Sequence, residues 1–154
     1  MSKTDSKIQP AKRRRTHWTT VTLVLALPVI AAAVAWQLGW LGDRLAVDSV
    51  RVPELSRAAV AGQKAFDKNC ARCHGARASG TGKGPPLIHD FYNPGHHPDS
   101  AFFAAAKSGV RQHHWQFGNM PARPEVSNSQ MAAIIRYVRE LQRANGITYR
   151  KHRM

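Results

Sequence analysis

Cys70-Ala71-Arg72-Cys73-His74 constrains this chain more than any other feature of its 154 residues. Two thiols two residues apart, followed at once by an imidazole, form the attachment signal for c-type haem. The thiols add across the two vinyl groups of the porphyrin, and the histidine comes up beneath the iron as its proximal ligand. Other uses of a C-x-x-C pair are a structural disulfide, a thioredoxin-like redox pair and half of a zinc site. Zinc would need two more soft ligands, and the chain has no other cysteine. A redox pair of the thioredoxin kind follows a strand in a βαβ pattern, and no such pattern is visible. A domain of about 100 residues is short for a self-sufficient core. A buried haem would supply apolar area and a covalent staple, so the chain without haem should fold poorly.

Three helices follow from residue pattern. The first starts at Ser56, an N-cap residue, and runs to Asn69. A second runs from Asp99 or Ser100 to Lys107, with Gly109 just past its end, and Phe102 or Phe103 gives a ring to the core. The last starts at Ser127 with Gln130 three residues on, a capping box. Met131, Ile134, Ile135, Val138 and Leu141 then recur at helical spacing. Arg136, Arg139, Glu140 and Arg143 are expected to face away or lie at the edge, and Gly146 ends the helix.

Gly62-Gln63-Lys64-Ala65-Phe66-Asp67-Lys68-Asn69 leads into the motif and Gly75 follows it. Gly84-Pro85-Pro86-Leu87, Gly118-Asn119-Met120-Pro121 and the closing helix come after, in that order. In motif order and spacing the chain resembles the class I (monohaem) cytochrome c family, membrane-anchored bacterial type, over roughly residues 55 to 145. The resemblance implies an all-α fold wrapped around one covalent haem c, held by Cys70 and Cys73. It implies that the first and last helices cross closely at Gly62, with Phe66 and Tyr137 beside the crossing. It implies that Pro85 and Pro86 lie near the proximal imidazole, where a backbone carbonyl accepts the His74 ring N–H. It also implies iron ligation by His74 and Met120.

Among the residues themselves Met120 is the first candidate for the sixth ligand, in a Gly-x-Met-Pro turn 46 residues after His74. Met1, Met131 and Met154 are weaker candidates, and His89, His96, His97, His113 and His114 lie in the right region. A methionine ligand raises the reduction potential relative to two histidines. The pairs His96-His97 and His113-His114 depart from a plain carrier. They have three readings: hydrogen bonds to a haem propionate or caps on the surrounding loops, surface residues, or a second metal site, copper for instance. Neighbouring histidines on an extended segment point in opposite directions, so a pair alone argues weakly for chelation. The Trp115 N–H is a further donor for a propionate.

Lys12-Arg13-Arg14-Arg15 precedes an uncharged run from about Trp18 to Leu41, some 24 residues, enough to cross a bilayer as a helix. Trp18, Trp36 and Trp40 are placed as interfacial anchors, and the basic flank should stay in the cytoplasm. The competing reading is a signal peptide cut after Ala33-Val34-Ala35. The expected organisation is a cytoplasmic basic N-terminus (1–17), a transmembrane anchor or signal peptide (18–42), a linker (43–55) and a cytochrome c domain (56–154). An extended linker of that length could reach roughly 40 Å at about 3.3 Å per residue. The haem domain is then expected on the periplasmic face of a bacterial inner membrane.

From Asp43 onward 17 basic residues stand against 8 acidic ones, within a whole-chain charge of +14. With a haem present, this balance points to redox proteins with acidic docking surfaces. Lys64, Lys68, Arg72, Arg77 and Lys83 flank the motif and are candidates to ring an exposed haem edge. No recognised nucleic-acid-binding module is visible. The expected function is one-electron transfer between membrane or respiratory redox proteins, with no small-molecule substrate and no enzymatic reaction. Two alternatives are a fixed electron-transfer subunit of an oxidoreductase complex, and a haem-based ligand sensor or peroxidase-like protein.

Overall fold

The structure, a computed structural model, describes residues 16–151. The basic N-terminus up to residue 15, Met1 and Met154 lie outside the described residues, as do the side chains of residues 16–25 (Trp18 among them), Asp43 and Leu45. The chain forms two compact units, one ending at Gly39 and one starting at Trp40.

Helix α1 (Thr16–Ser49) makes up the first unit as far as Gly39. Leu27, Val29, Ile30, Val34, Trp36 and Leu38 are all exposed, and no charge interrupts them. A helix apolar on every side has no polar face to turn towards water. Ala26–Ser49, 24 residues, is long and apolar enough to cross a membrane. At 1.5 Å per residue such a stretch spans about 36 Å, against a hydrocarbon core of about 30 Å.

The second unit corrects the expected linker. Residues 43–49 are helical, the last turns of α1, so an extended arm over 43–55 does not exist. Val50, immediately after, is buried in the core. The Asn145 side chain then brackets the Arg51 backbone, accepting from its N–H at 2.9 Å and donating to its carbonyl at 2.8 Å.

The frame of this unit is the crossing of α2 (Arg57–Asn69) with α5 (Asn128–Ala144). Ser56 caps α2 by accepting from the Ala59 N–H at 3.2 Å. It also donates its own N–H and hydroxyl to Glu140 at 3.0 and 2.7 Å, which pins the start of α2 to α5. The Ser127–Gln130 capping box is formed at the start of α5. Gly62 is buried against the Ala133 carbonyl, where any Cβ would collide with backbone. Phe66 and Tyr137 pack beside it with ring centroids 5.6 Å apart. Met131, Ile134, Ile135, Val138 and Leu141 form the core face of α5, as their spacing predicts.

Arg139 does not face away as expected. It is buried, paired with Asp99 at 2.8 Å, and donates to the carbonyls of Tyr92 and His97 and to Gln142 Oε1. Its guanidinium lies over Phe102, 4.8 Å from the ring centroid. The physical reason is that residues 87–97 cover this flank of α5 and bring carbonyls with no helix or sheet partners. Gln142, also buried, donates to Leu87 and Tyr92 carbonyls at 2.9 and 3.0 Å. Helix α4 (Asp99–Ser108) closes the unit and stops at Gly109, whose φ is 73°. The described residues contain no strand, only two isolated bridges, and the second unit is all-α.

Candidate functional site

The cysteine motif forms its own turn. Helix α2 ends as the Cys70 N–H donates to the Phe66 carbonyl at 2.7 Å, and a single helical turn, α3 (Ala71–His74), follows. Four residues is one turn, so Cys70 and His74 stand on one face. Gly75, with φ of 75°, reverses the chain where a Cβ would run into the Gly80 carbonyl. The loop then folds back. The Thr81 hydroxyl donates to the Cys73 carbonyl at 2.6 Å. Gly84 lies so close that a Cβ there would be 2.9 Å from the same oxygen. This return places the Pro85 carbonyl 2.9 Å from His74 Nδ1. Such a bond makes Nδ1 the donor and leaves Nε2 as the ring's other nitrogen. Burial pushes the His74 pKa down, with the Pro85 bond acting the other way, so the ring is favoured in its neutral, ligand-ready form. Burial also pushes the Cys70 thiol up to about 11, opposed by the Arg123 guanidinium.

These groups open onto a cavity of about 400 Å³. Phe66 of α2 and Met131 and Ile134 of α5 form one wall, and Phe102, Ala105 and Ala106 of α4 another. Cys70, His74, Pro85 and Leu87 line it from the motif side; Val110, Trp115 and Met120 line it from the late loop. Met120 is carried by a short ladder, since Val110 and Met120 exchange backbone hydrogen bonds at 3.0 and 2.9 Å. Gly109 lets the chain turn into that ladder, with a Cβ there meeting the Met120 carbonyl at 2.6 Å. Cys73 and Pro86 are half-buried and are not among the residues lining the cavity.

The wall suits a large, flat, apolar group bearing a few acidic substituents. It is almost wholly apolar, it holds an imidazole and a thioether, and two of its donors, Trp115 Nε1 and Arg123 Nε, are buried without a partner. A haem, with its hydrocarbon ring and two carboxylates, has that chemistry. The basic residues at the cavity are Arg111 and Arg123. Lys64, Lys68, Arg72 and Lys83 are exposed but do not line it, and Arg77 instead donates to the Val47 carbonyl at 3.3 Å.

The competing ligands separate. His89 packs on Phe91 and Trp115 outside the cavity lining, and Met131 belongs to the core stripe of α5 while touching the cavity. His97, His113 and His114 are in the wall. The histidine pairs do not splay. Residues 93–97 make a tight turn in which both His96 and His97 N–H groups donate to the Asn93 carbonyl, at 3.1 and 2.9 Å, and the two rings stack at 4.6 Å. Sequence reading missed Arg139 and Gln142 behind the site, because a charged residue in an amphipathic helix is ordinarily on the wet side.

No curated protein and no solved structure is significantly similar to the chain. The cytochrome c family model matches residues 59–142, from the first turn of α2 to the last turn of α5. That match takes in the motif, the cavity and the helix crossing, and it covers more than half of the chain: this protein belongs to the cytochrome c family.

Proposed function

We propose that the chain is a membrane-anchored one-electron carrier in which Cys70 and Cys73 hold one haem c through thioether bonds. His74 and Met120 would supply the protein ligands to its iron. The observation that carries this reading is the shared cavity: His74, steered by the Pro85 carbonyl, and Met120, on the Val110 ladder, both line it. When bound, the haem supplies the redox chemistry, its iron alternating between ferric and ferrous. The chain's residues do the rest. Pro85 fixes the imidazole plane and raises its basicity. The rings of Phe66 and Phe102 and the α5 stripe keep water from the apolar face. Trp115 and Arg123 offer their unpartnered N–H groups to the acidic edge. Pro86 follows, half-buried against Gly80, where a Cβ would stand 2.7 Å from the Pro86 nitrogen.

The basic N-terminus (1–17) is read as cytoplasmic, 18–42 as an uncleaved anchor, 43–55 as the join and 56–154 as the cytochrome domain. The apolar α1 supports an anchor in a bacterial inner membrane with the haem domain on the periplasmic face. The surplus of basic residues supports acidic redox partners.

The test is the absorption spectrum of the purified protein, ferric and ferrous, with carbon monoxide added to the latter. A low-spin spectrum with a sulfur-to-iron charge-transfer band, lost in Met120→Ala, and no carbon monoxide binding in the wild type is expected. A band-free spectrum unchanged in Met120→Ala would move the sixth ligand to a histidine. Ready carbon monoxide binding by the wild type would overturn the carrier reading in favour of a sensor or peroxidase-like protein.

A further inference from the structure

The two histidine pairs, 17 residues apart in sequence from His97 to His114, are gathered at one edge of the cavity. His96 Nε2 and His114 Nε2 face each other at 3.2 Å. Ligand atoms of His96, His97 and His114 all lie within 4.8 Å of one another, on half-buried side chains. Two nitrogens bound to one zinc or copper ion at about 2.0–2.1 Å each are about 3–3.4 Å apart when they are neighbouring ligands. The His96–His114 separation is already that distance.

The supports are built as well. His97 Nδ1 is bonded to the Phe91 carbonyl, which makes it the donor and leaves Nε2 to coordinate. His97 is further held by Arg139, which donates to its carbonyl. Asn93, buried, accepts through Oδ1 from the N–H groups of Gly95, His96 and Arg150, so the turn carrying two of the three rings is braced from three sides. Phe91 stacks on His114 at 4.7 Å and 20°. His113 is not a member: its Nδ1 turns to the Arg111 carbonyl at 2.9 Å and its side chain is exposed.

We propose that His96, His97 and His114 form a transition-metal site, separate from the haem ligands, that takes copper(II) in preference to other divalent ions. Three neutral nitrogen donors with no carboxylate or thiolate suit copper, zinc and nickel, and among these the intrinsic order of affinity places copper(II) highest. Closing around an ion would draw the three ligand atoms from within 4.8 Å of one another to the spacing of ordinary metal–nitrogen bonds. Because His97 and His114 also line the cavity, the ion would sit in its wall.

The experiment uses the full haem-loaded chain in detergent, incubated with copper(II) chloride and then desalted. Elemental analysis should find one copper per haem iron, and the electron paramagnetic resonance of that copper should show coupling to three nitrogens. His96→Gln and His114→Gln should each weaken retention about tenfold or more, while His89→Gln, outside the cluster, should not. The haem spectrum should be the same in all of them, which separates this proposal from the ligation scheme above. Loss of a haem ligand signal in either cluster variant would overturn the metal site and assign that histidine to the iron. No stoichiometric copper, or copper held equally by the variants, would also overturn it and leave His96–His114 as a hydrogen bond alone. If a variant fails to fold, the nitrogen count in the wild type decides.

Discussion

Arg139 and Tyr137 sit two residues apart on α5 and show how one buried atom sets a residue's energetics. The Arg139 guanidinium serves Asp99, two loop carbonyls and Gln142 at once. Arg139→Met would leave buried acceptors unpaired, and we expect a loss of about 3 kcal/mol in denaturant unfolding. Asp99→Asn removes only the exposed partner of the ion pair, whose side chain is 63% accessible against 8% for Arg139, so it should cost less than about 1 kcal/mol. Equal losses would mean that the carbonyl contacts contribute nothing. The Tyr137 hydroxyl is buried without a partner. Burial raises its pKa to about 12, with the Asp67 carboxylate adding to the effect and Arg77 opposing it. A raised pKa means that the folded state holds its proton while the unfolded chain releases it near pH 10. Stability is therefore full below about pH 10 and is lost as pH climbs towards 12. Thermal unfolding across that window should show the loss, and Tyr137→Phe, which has no phenol to ionise, should show less of it. Identical profiles would assign the alkaline loss elsewhere.

At the scale of elements, the α2–α5 crossing rests on the missing side chain of Gly62. Alanine is the better helix former by about 1 kcal/mol, yet its methyl would enter the Ala133 carbonyl on the facing helix. Backbone cannot yield as a flexible side chain can. Gly62→Ala should therefore destabilise the haem-loaded protein by about 1–3 kcal/mol despite the gain in propensity, read as a lower Tm. An unchanged or higher Tm would show that the helices can separate at little cost. The helices themselves were legible beforehand. Ser56, Ser127, Gln130 and Gly109 mark their ends by local hydrogen bonding and backbone freedom, which need no knowledge of the rest of the chain. The end of α1 was not legible. Asp43, Arg44 and Asp48 look like a linker, but a long helix continues through polar residues when nothing breaks it, and Pro53 comes too late to do so.

For the whole molecule, the second unit encloses an apolar cavity of about 400 Å³ beside the cysteine motif. Phe66, Phe102, Met131 and Ile134 all present surface to it. A domain this small has little burial to spare, so a haem held in the cavity would complete the core. The double variant Cys70→Ala/Cys73→Ala, with no thiols to retain haem covalently, should lose the cooperative thermal transition seen by circular dichroism and become sensitive to protease. A transition as sharp and as high as that of the wild type would show that the cavity walls support themselves.

What the sequence determined by itself was everything governed by short range: the attachment motif, the helix caps, the apolar stripe of α5, and an uncharged stretch long enough to span a bilayer. Spacing along the chain is sufficient for these, because the interacting groups lie within about one helical turn or within one continuous run. Only the tertiary structure decided that Arg139 and Gln142 are interior, that Arg77 turns to the backbone of α1, and that His114 meets His96 and His97. Each depends on which surface a distant loop covers. Residues 87–97 bring their unpaired carbonyls over α5, and a buried carbonyl needs a donor. That requirement draws a charged side chain inward against its ordinary preference for water, and no local pattern records it.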